Sequence, residues 1–254
     1  MSDLRLTFGD CYKEVSRFLG WGIAPASQNL TDAKAIVHAG YRKFLYPVKM
    51  TSTPPSQHLW SFLIKDAVLL TKGGFWQYNL PVDFDRLYTR FTYDTNDQYA
   101  PMKQVSADMI RNNYVIANSQ GQPSQFAIVP SVYSPEAGTT VYQVWFYETP
   151  SVSYTLHYNY VIKPPPLVND ADYFVGGDFA SETILECALA IAELRWDGEP
   201  GVHIAESDRL IQQLIVTDTP TRPLYFGRMY DPGIYGRYSG RPLMTIPYDS
   251  TYSS

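Results

Sequence analysis

The pattern of apolar and polar positions divides the chain into helical ends and a β-rich middle. Apolar residues recur at three- and four-residue spacing over residues 7–20 and 31–47, and again over 181–195 and 205–215. This spacing places them on one face of a helix. Thr31 with Asp32 is a plausible helix cap before the second segment, and a proline ends it. The pattern therefore predicts four helices, two early and two late.

Between the helical segments the apolar period changes to two. The change begins at Trp60, Phe62 and Ile64, and turn signals rich in Gly, Pro and Asn then separate several short apolar runs. The clearest alternation covers residues 152–162. It puts six apolar residues on one face: Val152, Tyr154, Leu156, Tyr158, Tyr160 and Ile162. Such alternation is typical of a half-buried antiparallel strand.

These elements predict an α+β fold in which the ends of the chain enclose its middle. Because short helices are marginal in isolation, we expect the early pair to pack against the late pair. The predicted bundle of about four helices therefore combines residues 1–50 with residues 175–216. Residues 58–165 form an inserted antiparallel β lobe, and residues 217–254 form an extended C-terminal arm.

The arm stands out by composition. Residues 217–254 contain five Pro, four Gly, six Tyr and four Arg, with no sustained helical or strand period. Solvated tails are poor in aromatic residues, whereas aromatic and Arg side chains dominate protein interfaces. The composition therefore predicts a binding segment. Its expected partner-binding residues are Tyr225, Phe226, Arg228, Tyr230, Tyr235, Arg237 and Tyr238.

Composition and charge argue against several classes of function. The 254 residues are 45% hydrophobic, enough for a sizeable core, and the net charge is −5 with no Lys/Arg cluster. The sequence therefore has no basic region of the kind that binds nucleic-acid phosphates without sequence preference. No stretch approaches the roughly eighteen apolar residues of a membrane span, and no leader pattern is visible. We expect a protein that is cytosolic when made and that does not bind membranes.

Candidate catalytic residues are few and isolated. Four histidines lie far apart without metal-site spacing, so no metal site is expected. The carboxylates with the best spacing are Asp83 with Asp85, and Glu182 with Glu186. A turn explains the first pair and a solvated helix face the second. No phosphate-binding loop or nucleophile elbow occurs either. The sequence therefore predicts no enzyme and no cofactor.

Several strings in order along the chain resemble a known family. They are LGWG, GYRKFLYP, HLWSFL, FWQYNLPVDF, GQPSQFAIVP, VWFYETPSVSYTLHYNYVIKPPPL and ALAIAELRWDGEPG. In order and spacing they resemble the tail-adaptor, or head-to-tail connector, proteins of short-tailed phages, including the tubular adaptor of the T7-like group. The resemblance spans most of the chain.

The resemblance implies a structural virion protein of the phage neck, whose subunit has a helical bundle core, an inserted β lobe and a long C-terminal arm. It implies a homo-oligomeric ring of twelve copies beneath the portal protein, which serves as a docking platform for the next tail or nozzle protein. DNA would pass through the lumen during ejection without specific binding. The expected location is the virion, with assembly in the host cytoplasm.

Two other functions remain as alternatives. One is a carbohydrate- or receptor-binding β module of a phage tail, suggested by the Tyr and Trp residues of the β region. The other is a hydrolase acting on cell wall, with the four spaced carboxylates as candidate acids.

Overall fold

The computed structural model describes residues 5–49, 56–94, 99–134 and 139–218. The arm beyond Asp218 lies outside these residues. In the described part, helices and sheets combine in an α+β fold, which confirms the predicted class.

The described residues form five α-helices, α1 to α5 in chain order: Phe8–Phe18, Ser27–Leu45, Ala107–Ile116, Asp178–Asp197 and Val202–Asp218. Helix α1 begins with a capping box. The Thr7 hydroxyl accepts a hydrogen bond from the Asp10 backbone N–H, and the Asp10 carboxylate accepts one from the Thr7 backbone N–H, both at 3.1 Å. These bonds satisfy N–H groups that a helix start otherwise leaves unpaired.

Helix α2 begins earlier than the sequence indicates. Its first residue is Ser27, and Ala26 before it provides no side-chain cap. Thr31, which the sequence suggested as a cap, lies inside the helix, where its hydroxyl donates to the Ser27 carbonyl at 3.0 Å. A threonine can make this bond in mid-helix, so its presence did not mark the boundary.

Four of the helices, α1, α2, α4 and α5, form one bundle in which α4 packs against the other three. Small buried residues of α4, including Ala188 and Ala192, allow close helix contact. The closest approach is to α2 at Gly40, where a Cβ atom would lie 2.5 Å from the Ala188 backbone nitrogen. Residues about 150 positions apart are therefore in direct backbone contact.

The β lobe consists of short strands and a few long ones. In chain order, β1 to β12 are Val48–Lys49, Ser56–Gln57, Ile64–Leu70, Gln77–Asn79, Phe84–Leu87, Thr92–Tyr93, Lys103–Gln104, Gln120–Gly121, Gln125–Ser134, Thr139–Tyr147, Thr149–Pro150 and Thr155–Ile162. One four-stranded sheet has the order β3-β12-β5, with β6 also paired to β12. The other has the order β4-β10-β9-β7. Pairing is mainly antiparallel; β7 with β9 and β8 with β11 are parallel.

Strand β12 joins the cores of the lobe and the bundle. Leu156, Tyr158 and Tyr160 are buried on its inner face, as the alternation predicted, and pack in the lobe core with Phe126 and Phe146 of the other sheet. Its residue Val161 is buried in the bundle core instead. The strand begins at Thr155, three residues after the predicted start.

Helix α3 belongs to the β lobe and was absent from the predicted elements. The Ser106 hydroxyl caps it by accepting from the Met109 N–H at 3.2 Å. Ile110 is its one fully buried residue and packs with Ala127 and Trp145 of the second sheet. The second sheet therefore has the lobe core on one face and α3 on the other.

Two further boundaries differ from the sequence prediction. Trp60 to Ile64, predicted as the first strand, contains the 3₁₀-helix Ser61–Leu63, and strand β3 starts only at Ile64. Helix α5 continues through Asp218, so the first two residues assigned to the arm are helical.

The close contact at Gly40 leads to a stability prediction. Alanine favours helices over glycine by about 1 kcal/mol, so Gly40→Ala would stabilise an exposed helix. Here the added methyl group meets the backbone of Ala188, and α2 and α4 must separate. We expect the free energy of unfolding in urea to fall by about 1–3 kcal/mol.

The control is Gly121→Ala, because a Cβ there meets only the Glu148 carboxylate at 3.9 Å. We expect it to change stability by less than ~0.5 kcal/mol. An unchanged or higher stability of Gly40→Ala would contradict the packing described.

Candidate partner-binding site

The predicted partner-binding residues lie beyond the described part of the chain. All belong to the arm: Tyr225, Phe226, Arg228, Tyr230, Tyr235, Arg237 and Tyr238. Their role stays a prediction. The described residues do include the point at which the arm begins, at the last residue of α5.

Asp218 anchors this last residue to the start of the β lobe. Its carboxylate accepts hydrogen bonds from the Ser61 backbone N–H at 3.1 Å and from the Ser61 hydroxyl. It also lies 2.8 Å from Nε2 of His58, which donates to it. Three donors from residues 58–61 therefore hold one carboxylate. We call His58, Ser61 and Asp218 the arm anchor.

The arm anchor is shielded from water. The side chains of His58 and Asp218 are only 6% and 7% exposed. The His58 ring lies edge-on to buried Trp60, with 4.8 Å between ring centroids. Trp60 in turn stacks with Phe44 of α2 and with Phe62, which also stack on each other, and its Nε1 donates to the Phe44 carbonyl at 2.9 Å. The anchor is thus continuous with the bundle core.

The chemistry of the anchor explains why its donors are needed. A negative charge at the C-terminal end of a helix is opposed by the helix dipole. A buried carboxylate is also costly unless hydrogen bonds replace its water. The donors from His58 and Ser61 supply that compensation. Asp218 is therefore stable at the end of α5 only while the segment containing residues 58–61 is docked against it.

This arrangement predicts a large effect of Asp218→Ala. The substitution leaves the buried His58 ring and Ser61 N–H without an acceptor. We expect a loss of about 3 kcal/mol in unfolding free energy. Hydrogen exchange at the last turn of α5 should also become faster.

Asp197→Ala is the matched control, because Asp197 is also the last residue of its helix but is exposed. It should change stability by less than ~0.5 kcal/mol. Equal effects of the two substitutions would show that the anchor contributes nothing specific.

The carboxylates considered as catalytic acids have separate partners. Asp83 accepts from the Tyr160 hydroxyl at 2.9 Å and from the Lys65 ammonium at 3.1 Å. Partial burial raises the pKa of the Asp83 carboxyl, but these two donors outweigh it and hold the pKa below its usual value. Asp85 is exposed on β5. Asp83 thus serves as an acceptor that ties β12 to the turn before β5.

The second carboxylate pair lies on α4. Glu182 is exposed, whereas Glu186 is half-buried and lies 2.8 Å from Nδ1 of His203 on α5. This contact joins two helices of the bundle. Within the ranges that the structure describes, no three His, Cys, Asp or Glu side chains are grouped so that they could hold a metal ion.

Cys11 and Cys187 are fully buried in the bundle core. Burial raises the pKa of each thiol to about 12. Because the thiolate is the reactive form, we expect thiol reagents to label the native chain very slowly at about pH 8 and the urea-unfolded chain rapidly. Rapid labelling of two thiols in the native chain, counted by mass spectrometry, would contradict the burial.

The surface of the described part has apolar residues on the bundle, on β3 and at the end of α3, where Val115 and Ile116 are exposed. At one end of the bundle, Trp21 and Trp196 border a groove of about 200 Å³, and the Trp196 side chain is exposed. On strand β3, Val68 and Leu70 are exposed. Among the described helices, none is long and apolar enough to cross a membrane.

No protein-family model matches this chain, and a search of curated proteins finds no match either.

Proposed function

We propose that the protein is a structural subunit of a head-to-tail adaptor ring in a short-tailed phage. The observation that carries the proposal is the single bundle that α1 and α2 form with α4 and α5 around an inserted β lobe. This is the architecture that the sequence resemblance implies. The proposal does not include catalysis, because one carboxylate of each spaced pair, Asp83 and Glu186, holds parts of the fold together.

Three of the strings behind the resemblance lie at helix ends or turns of this architecture. LGWG follows α1, and its Gly20 and Gly22 have φ angles of +74° and +79°, which favour glycine. GYRKFLYP closes α2, and RWDGEPG forms the turn from α4 to α5, where Gly198 has φ +73°. These residues set the directions of helices, which gives the resemblance a structural basis.

The charge distribution suits a conduit for DNA. Basic side chains in the described part commonly pair with neighbouring carboxylates. The pairs include Arg17–Glu14, Lys34–Asp170, Lys43–Asp208, Lys65–Asp83, Arg111–Asp108 and Arg209–Glu206. Paired cations and a net charge of −5 give DNA phosphates little to bind. DNA would then pass through the ring without being held.

We further propose a ring of twelve copies between the portal protein and the next tail or nozzle protein. The arm supplies part of this contact, through the seven aromatic and Arg residues named above. Such residues are the usual energetic anchors of protein interfaces. The protein would assemble in the host cytoplasm and remain in the virion neck.

The carbohydrate-binding alternative has less support. It was suggested by aromatic residues of the β region, but Tyr93, Tyr158 and Tyr160 are buried in the lobe core. Buried rings cannot stack on a sugar, so binding by this region would depend on exposed rings such as Phe75, Tyr88 and Tyr99.

Truncation of the arm tests the proposal. A chain that lacks residues 221–254 keeps the arm anchor and both cores, so we expect it to fold with native circular dichroism. We also expect it to assemble poorly into rings, or to dock poorly on the portal, in mass photometry and electron cryomicroscopy. Truncated and full-length chains that assemble at the same concentration would show that the arm has no such role.

A full-length variant tests whether assembly depends on the side chains of the arm or only on its length. Tyr225, Phe226 and Tyr230 are replaced by Ala, which preserves the arm but removes three anchors. We expect this variant to assemble as poorly as the truncated chain. A full-length chain that stays monomeric and binds neither portal nor tail protein would contradict the adaptor function itself.

A further inference from the structure

Strand β3 is an open edge of the first sheet. In the order β3-β12-β5 it pairs with β12 alone, through residues 64–70. No described residue pairs with its other side. In an antiparallel sheet about half of the backbone N–H and C=O groups of an edge strand point away from its partner. β3 therefore presents a row of groups able to bind another strand.

The exposure of the side chains of β3 also indicates that this edge is uncovered. Val68 and Leu70, on the outer face, are 52% and 63% exposed. Ala67 and Leu69 point to the lobe core, yet they are only half-buried. Residues on the core side of a covered strand would be buried completely. Both faces of β3 are therefore open toward its free edge.

Among the described strands, β3 is the long, regular edge. The part of β9 beyond Phe126 is also unpaired on the side of β7, but it contains Pro130, which has no N–H to donate, and a register shift next to it. Natural proteins keep edge strands short, irregular or charged, because a long regular edge pairs with other chains. β4 and β7 have three and two residues. β5 has four, with a register shift opposite Val161 and Ile162. β3 has seven in regular register, and its charged residues, Lys65 and Asp66, occur only near its start.

We propose that β3 binds an extended segment of the C-terminal arm from a second copy of this chain as an additional strand. This inference rests on the proposed ring and identifies the surface that receives the arm. Main-chain hydrogen bonds would give most of the affinity, and the exposed apolar residues of β3 would contact side chains of the arm.

The last residue of α5 lies close to the start of β3 in the chain. Asp218 binds Ser61, which is three residues before the first residue of β3. The arm from residue 219 to 254 could extend ~120 Å at ~3.3 Å per residue. β3 itself spans only about 23 Å at the same rise, so the arm can reach a neighbour's edge. In a closed ring each copy would give one arm and receive one, so that every β3 edge is covered.

Charge also favours the arm as the occupant. Residues 219–254 contain four Arg and two Asp, with no Lys or Glu, which gives a net charge of +2. Because the whole chain carries −5, residues 1–218 carry −7. On β3, Asp66 is exposed, and no ion pair to it occurs in the described part. An Arg of the arm would complement it.

Photo-cross-linking of the full chain tests this inference. Val68 is replaced by the photoreactive amino acid p-benzoylphenylalanine, and chains of natural and ¹⁵N composition are mixed. After irradiation, mass spectrometry should find residue 68 linked to residues 219–254, in pairs of one light and one heavy chain. The same probe at Val115, which is 86% exposed on α3, is the control and should not link to the arm.

Charged substitutions provide a second measurement. Val68→Arg with Leu70→Arg should raise the concentration for half-maximal ring assembly by about tenfold, because arginine side chains on β3 repel the basic arm. The matched pair is Val115→Arg with Ile116→Arg, both also exposed, and it should leave assembly unchanged. Each variant is first checked for native circular dichroism.

The outcomes separate this inference from the adaptor proposal. If rings form but residue 68 links only to other segments, or only within one chain, β3 is not the acceptor and the adaptor proposal stands. Heavy–light links to the arm in a chain that forms no ring would support β3 and contradict the ring. A chain that is monomeric and shows no heavy–light link overturns both.

Discussion

The close approach of α2 and α4 at Gly40 and Ala188 is the contact on which the arrangement of the other elements depends. It brings the first fifth of the chain against the last part of the described chain, so the residues between must leave the bundle and return to it. These intervening residues form the β lobe. Small residues on α4 make the approach possible, because only a short side chain fits between two helix backbones.

The lobe is joined to the bundle by shared core residues. Trp60 forms an aromatic cluster with Phe44 and Phe62 where the chain leaves the bundle, and Val161 enters the bundle core where the chain returns. The arm anchor closes the same region from the other side, since His58 contacts both Trp60 and Asp218. The end of α5 is therefore fixed by the start of the lobe, and the origin of the arm depends on both parts being folded.

Much of this fold follows from local patterns, but the contacts between distant segments do not. The bundle helices and the faces of β12 could be predicted because their apolar residues keep a regular period. Helix α3 was missed because Ile110 is its one fully buried residue, and its period is correspondingly faint. The alternation of Trp60, Phe62 and Ile64 resembled a strand, although Ser61–Leu63 form a turn of 3₁₀-helix and only Ile64 belongs to β3. The arm anchor joins positions 160 residues apart, and isolated polar residues give no signal of such a contact.

Among the described residues, some polar groups have hydrogen-bond partners and others do not, and this difference bears on function. Polar groups with possible chemistry, such as Asp83 and Glu186, are occupied by partners that hold the fold together. The groups that can still bind a partner lie elsewhere. They are the backbone N–H and C=O groups on the free side of β3 and its exposed apolar side chains. Leaving a seven-residue edge uncovered invites aggregation unless a specific strand occupies it. The chain also has a basic, aromatic arm that begins near the start of β3, and this arm could cover the edge. If copies exchange their arms, the edge that would otherwise promote aggregation becomes the contact that closes a ring.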